Sequence, residues 1–121
     1  MIWRFHGGRP VYLQVMEQIQ GAVLSGEYMP GQKIPSVRDM ATEAQINPNT
    51  MQHALQELER TGLLESRGTS GRYVTEDPAV LTAIRQTRLQ ELTAQCVEMF
   101  ATYGVSVSET IDLLCNYKGG E

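Results

Sequence analysis

Apolar residues recur every three to four positions along most of the chain, and the breaks in that rhythm mark its turns. Val11, Val15, Ile19 and Val23 return at intervals of four, with Tyr12, Met16 and Leu24 widening the stripe. This spacing predicts a helix opening at Pro10, whose missing N–H is harmless in a first turn. Gly26 stands where a left-handed cap would close that helix. The run Tyr28-Met29-Pro30-Gly31-Gln32-Lys33 then reads as a turn, since proline presets one φ and glycine permits a positive φ next.

A second helix is expected from Ser36, with Asp39 three residues on in a short version of the capping box. Its apolar face is Val37, Met40, Ala41 and Ala44. Asn47-Pro48 is a cap followed by a first-turn proline, and it opens a third helix that turns Met51, Ala54, Leu55 and Leu58 inward and stops near Gly62. About three residues separate these two helices, the spacing of a helix-turn-helix. Two short strand patterns follow, Leu63-Leu64-Glu65-Ser66-Arg67 and Arg72-Tyr73-Val74-Thr75. They flank the glycine-bracketed tip Gly68-Thr69-Ser70-Gly71.

Asp77-Pro78 repeats the cap-plus-proline signal and starts a long fourth helix running to about Tyr103. Leu89, Leu92, Cys96, Met99 and Tyr103 are spaced three, four, three, four, a heptad-like seam. Gly104 interrupts it, Ser106-x-x-Glu109 caps a fifth helix, and Val107, Ile111 and Leu114 form the next stripe. The tail Gly119-Gly120-Glu121 is expected to fray. The predicted fold is mainly α with a small β-hairpin wing: an N-terminal arm (1–9), a winged helix-turn-helix (10–76) and a two-helix C-terminal hairpin (77–121). Such a hairpin cannot bury both apolar faces alone, so Leu89, Leu92, Cys96, Met99, Tyr103, Ile111 and Leu114 are expected to pair with a second copy.

Composition narrows the class. The chain has 121 residues, 41% hydrophobic, which is too apolar for intrinsic disorder. No apolar run approaches the roughly 20 residues of a membrane span, and no export signal is visible, so a cytoplasmic protein is expected. Cys96 and Cys115 are too few for a disulfide framework and, lacking a nearby histidine, are expected to pack rather than hold a metal. Catalytic signatures are missing: there is no phosphate-binding Gly-Lys loop, no paired histidines and no serine elbow. Ten basic against fourteen acidic residues give a net charge of −4, so any contact with nucleic acid must come from a local face. Arg60, Arg67 and Arg72, opposed within their stretch only by Glu65, make 60–72 the most basic segment.

The run Pro35-Ser36-Val37-Arg38-Asp39-Met40-Ala41 resembles the GntR family of bacterial transcription regulators. So do Asn47-Pro48-Asn49-Thr50, Ala54-Leu55-x-x-Leu58-Glu59-x-x-Gly62-Leu63 and the wing Arg67-Gly68-Thr69-Ser70-Gly71-Arg72-Tyr73-Val74. Pro10-Val11-Tyr12-x-Gln14, Ser25-Gly26 and Pro30-Gly31 fall at the family's spacing too. The short C-terminal segment is similar to that of the YtrA-like branch. That resemblance implies a homodimeric repressor on an inverted-repeat operator, commonly that of a transporter operon, with no cofactor; it names no small-molecule effector.

Physical chemistry assigns roles on that surface. Ser36 and Thr50 stand at or near helix N-termini, where free N–H groups attract phosphate. Arg38 has the planar fork that pairs with guanine, and the family's arginine at this motif position contacts DNA. Asn49, Gln52 and His53 project from the front of the third helix, and amides there suit adenine. Gly68, Thr69 and Ser70 bring the tip close to DNA, and Arg67 and Arg72 are expected to hold phosphates. The competing expectation is a winged-helix module that binds protein rather than specific DNA.

Overall fold

The computed structural model describes residues 1–119. The expectation for Gly120 and Glu121 lies outside the described residues. Two compact units divide the chain, Met1–Ile84 and Arg85–Glu121.

The first unit contains α1 (Val11–Leu24), α2 (Val37–Ala44), α3 (Pro48–Arg60), β1 (Leu64–Ser66), β2 (Arg72–Val74) and the opening turns of α4 (Pro78–Ala101). The stripes read from sequence become one core. Val15, Ile19, Met51, Ala54, Leu55, Leu58, Leu63 and Val74 are all at 0% exposure. Packing of α3 against α1 and α2 builds this core, and Leu81 and Ile84 of α4 seal its edge. Burying a side chain of that size stabilises by roughly 1.5–3 kcal/mol, which outweighs the weak helix propensity of so short a segment as α2.

The caps sit where the sequence places them. Ser36 Oγ accepts from the Asp39 N–H at 3.1 Å, and Asn47 Oδ1 accepts from the Asn49 N–H at 2.7 Å. The turn between α2 and α3 closes with the Ile46 N–H donating to the Ala41 carbonyl and the Gln45 N–H to Thr42. That is the Schellman pattern, usually served by glycine. Here Gln45 takes the left-handed conformation, with φ +57°.

Strands β1 and β2 pair antiparallel, Leu64 opposite Val74 and Ser66 opposite Arg72. The segment read as a turn does more than turn. After Pro30-Gly31, residues 31–34 lie along the free edge of β2: Gly31 N–H donates to Val74, Val74 N–H to Gln32 and Ile34 N–H to Arg72. The wing is therefore held on both sides.

The N-terminal arm also gains partners that the apolar pattern does not reveal. Met1, Trp3 and Phe5 pack on the core while Ile2, Arg4 and His6 face out, the alternation of an extended segment. Gln18 exchanges two hydrogen bonds with the Arg4 backbone, at 2.9 and 2.7 Å, and Gln14 does so with His6, at 3.1 and 2.9 Å. Positions four apart on a helix and two apart on a strand have similar spacing, so two glutamine amides serve as the arm's missing strand neighbour.

The second unit holds the rest of α4 and α5 (Val107–Cys115). Gly104, at φ +76°, ends α4 with Val105 N–H donating to Phe100 and Gly104 N–H to Ala101. Ser106 Oγ caps α5 through the Glu109 N–H. In α4 no residue is buried, and in α5 only Thr110 is. Leu89, Leu92, Met99, Tyr103, Ile111 and Leu114 are exposed, while Cys96, the middle of the seam read from sequence, is half-buried.

Candidate nucleic-acid interface

The start of α2, the front of α3 and the wing carry the candidate residues. Arg38 is exposed in the first turn of α2 and forms no ion pair among the described residues. Glu43, an acidic residue of the same helix, accepts instead from Trp3 Nε1 at 2.8 Å. The guanidinium fork is therefore available for an external acceptor. Asn49 is exposed on the first turn of α3, and Gln52 and Thr50 are half-buried. His53 is exposed but stacks on Tyr12 of α1, with ring centroids 4.0 Å apart and planes 19° apart. That contact ties the front of α3 to the first turn of α1 and fixes the orientation of the imidazole.

The wing differs from its sequence reading in electrostatics. Arg72 donates to Glu59 of α3, and Ser66 Oγ donates to the same carboxylate oxygen at 2.9 Å. Burial pushes the Glu59 carboxyl up, but the hydrogen bonds from Arg72 and Ser66 together prevail and bring it below the ordinary glutamate range. Arg67 lies 4.2 Å over the Tyr73 ring and 3.7 Å from Glu76, and Arg60 pairs with Glu57 at 2.6 Å. Each arginine of the segment that looks most basic thus has a glutamate beside it, drawn from outside that segment or from the helix it ends. The structure uses Arg72 to orient the wing on α3 and holds Arg67 on the wing's own aromatic ring.

At the tip, Ser70 Oγ hydrogen-bonds the Tyr73 hydroxyl, while Gly68 and Thr69 stay exposed. Ser36, Thr69, Ser70 and Arg72 line one open groove of about 700 Å³ between the α2 start and the wing. The same groove contains Lys33, which the sequence reading assigned to a turn. A signal was there: Gln32-Lys33-Ile34 follows a Pro-Gly turn and leads from polar to apolar residues as the start of a strand does.

Among the described residues no group of three or more His, Cys, Asp or Glu could hold a metal. None of their helices is long and apolar enough to cross a membrane.

Two packed helices joined by a short turn, with a hairpin wing beside them, define a winged helix-turn-helix of the DNA-binding kind. The family model for bacterial regulatory proteins of the gntR family matches residues 11–74, and the chain belongs to that family. It is similar to the HTH-type transcriptional repressor YtrA of Bacillus subtilis, 37% identical over 89 residues, covering 73% of this chain and 68% of YtrA. A GntR family transcriptional regulator from Listeria monocytogenes superposes with a TM-score of 0.83 at 28% identity, over 94% of this chain and 100% of that one. The DNA-binding domain of AraR, in complex with operator ORX1, superposes with a TM-score of 0.56 at 30% identity, over 60% of this chain and 93% of that one. The protein is a DNA-binding transcription regulator, and its likeness to YtrA agrees with the short two-helix C-terminal segment.

Proposed function

We propose that two copies pair through residues 78–117 and present their α3 helices to the half-sites of an inverted-repeat operator, acting in the cytoplasm as a repressor, with a transporter operon as the expected target. One observation carries the reading. A winged unit with a closed core continues into α4, a helix of 24 residues with none buried and an apolar seam from Leu89 to Tyr103. A two-fold pairing of that seam gives the wings two-fold symmetry, and symmetric readers select symmetric sites. Within each half-site Arg38 reads a guanine edge, Asn49 and Gln52 face bases, and Ser36 and Thr69 meet the backbone.

Sedimentation at micromolar concentration tests the pairing, with a species of twice the chain mass expected. Leu92→Asp should weaken pairing by at least about 2 kcal/mol, roughly thirtyfold. Selecting bound duplexes from a random pool then gives the operator, and footprinting on it should protect two symmetric half-sites. On that site Arg38→Ala should cost about 1–3 kcal/mol and much less on random DNA. Arg38→Lys should not restore specificity, because an ammonium lacks the bidentate fork. A monomer at micromolar concentration, or an asymmetric single footprint at saturation, would overturn the symmetric reading.

A further inference from the structure

We infer that Lys33, and not the wing arginines, is the phosphate-holding cation of the wing: its ammonium reaches the DNA backbone from the edge of β2, between the α2 start and the wing tip. The inference rests on the DNA-binding reading and adds a residue to it.

Three observations place the side chain. Lys33 bridges to Tyr73 across the free edge of β2, and hydrogen bonds on both sides of it, Val74 to Gln32 and Ile34 to Arg72, fix its backbone. Its aliphatic stem crosses Gly71 so closely that a Cβ there would meet Lys33 Cε at 2.9 Å. Gly71 also has φ +127°, so a side chain at that position would be strained by its backbone and would displace the end of Lys33. A stem laid on the wing leaves the ammonium at the groove shared by Ser36, Thr69 and Ser70.

Charge supplies the contrast. Lys33 is exposed and forms no ion pair among the described residues, although Asp39 lines the same groove. Arg67 and Arg72 already face Glu76 and Glu59. A cation beside a carboxylate brings less net charge to a phosphate, whereas an unpaired ammonium brings its full charge and displaces nearly one condensed counterion from the DNA. Lysine serves as a point charge for phosphate and needs no bidentate geometry.

The test uses the full chain and a mixed-sequence duplex, because phosphate contacts do not depend on sequence. Affinity is followed by anisotropy in KCl between about 50 and 200 mM. Lys33→Gln keeps most of the stem across Gly71 and removes the charge. It should reduce the salt slope by about 0.9 per bound protomer and weaken binding roughly eightfold per contact at 0.1 M salt. Lys33→Arg should retain the wild-type slope, and Arg72→Gln should change it less than Lys33→Gln does. Thermal unfolding of each variant separates lost charge from lost fold, and Lys33→Met, with its longer apolar stem, repeats the test if Lys33→Gln unfolds. A wild-type slope in both Lys33→Gln and Lys33→Met, on a wild-type protein that does bind, overturns the Lys33 assignment and leaves DNA binding standing. A larger slope change in Arg72→Gln than in Lys33→Gln returns the role to the wing arginine. A wild-type chain with no salt-dependent affinity for any duplex overturns the DNA-binding reading itself.

Discussion

Helices α1 and α4 both carry regular apolar stripes, yet the chain treats them in opposite ways. In α1 five of fourteen residues are buried; in α4 none of twenty-four is. The stripe of α1 meets α3 within the same compact unit, so hydrophobic burial is completed there by one chain. The α4 seam keeps Leu92 at 43% exposure and Met99 at 65%. Periodicity therefore announces an apolar face but does not say whose surface covers it. The two units differ accordingly: the first closes its core and carries the winged helix-turn-helix, and the second leaves its apolar face uncovered by its own chain.

Removing one leucine from each region breaks the comparison most sharply. Leu55 has no exposure, so Leu55→Ala should destabilise the winged unit by about 2–5 kcal/mol. Trp3, the only tryptophan in the chain, packs on that core and reports its unfolding in urea through fluorescence. Leu92→Ala should leave the Trp3 midpoint nearly unchanged in dilute protein and shift the sedimentation profile instead. Equal losses of Trp3 midpoint in the two variants would mean that the α4 seam supports the winged core, and the separation of reading from pairing would fail.

How legible these features were follows the range of the interaction behind them. Ser36, Asn47 and Ser106 bond backbone groups two or three residues away, so their caps are written locally. The inward faces of α1 and α3 follow from period alone, as does the wing hairpin from its glycine-bracketed tip. Pairing of Arg72 with Glu59 spans thirteen residues and depends on where the wing folds back on α3. No local count of charges contains that geometry, which is why residues 60–72 look basic in sequence and are paired in space. Lys33 was hidden for the same reason, since its neighbour on β2 lies forty residues on. Gln45 was hidden for another: its left-handed turn normally signals itself by glycine, and here it does not.

The wing's ion pair sharpens the comparison by pH. Glu59 titrates below the ordinary glutamate range in the folded chain, so the unfolded state takes up its proton first as pH falls. The stability it contributes is present in full above the unfolded value near 4.5 and is lost as pH falls through the lower folded value. Glu59→Gln should abolish that component. The Trp3-detected stability difference between wild type and variant should therefore be constant near neutrality and shrink below about pH 4.5. A difference that grows as pH falls would contradict the sign, and the lowered carboxyl with it.

The smallest expected effect concerns one backbone device used in both regions. The α2–α3 turn and the end of α4 each close with paired Schellman hydrogen bonds around a left-handed residue, Gln45 in one and Gly104 in the other. An L-residue in that conformation costs roughly 1–2 kcal/mol, while glycine gives back about 0.5–1 through its freedom in the unfolded chain. Gln45→Gly should therefore gain on the order of 0.5–1 kcal/mol and raise the Trp3 unfolding midpoint. Gly104→Ala should lose a similar amount, and no atom lies within 4 Å of the added Cβ, so backbone conformation alone would be responsible. Its loss should appear in helicity and in sedimentation, since Gly104 belongs to the second unit, with the Trp3 midpoint unmoved. A fall in midpoint for Gln45→Gly would show that the exposed Gln45 side chain holds the turn by a contact stronger than the strain it carries.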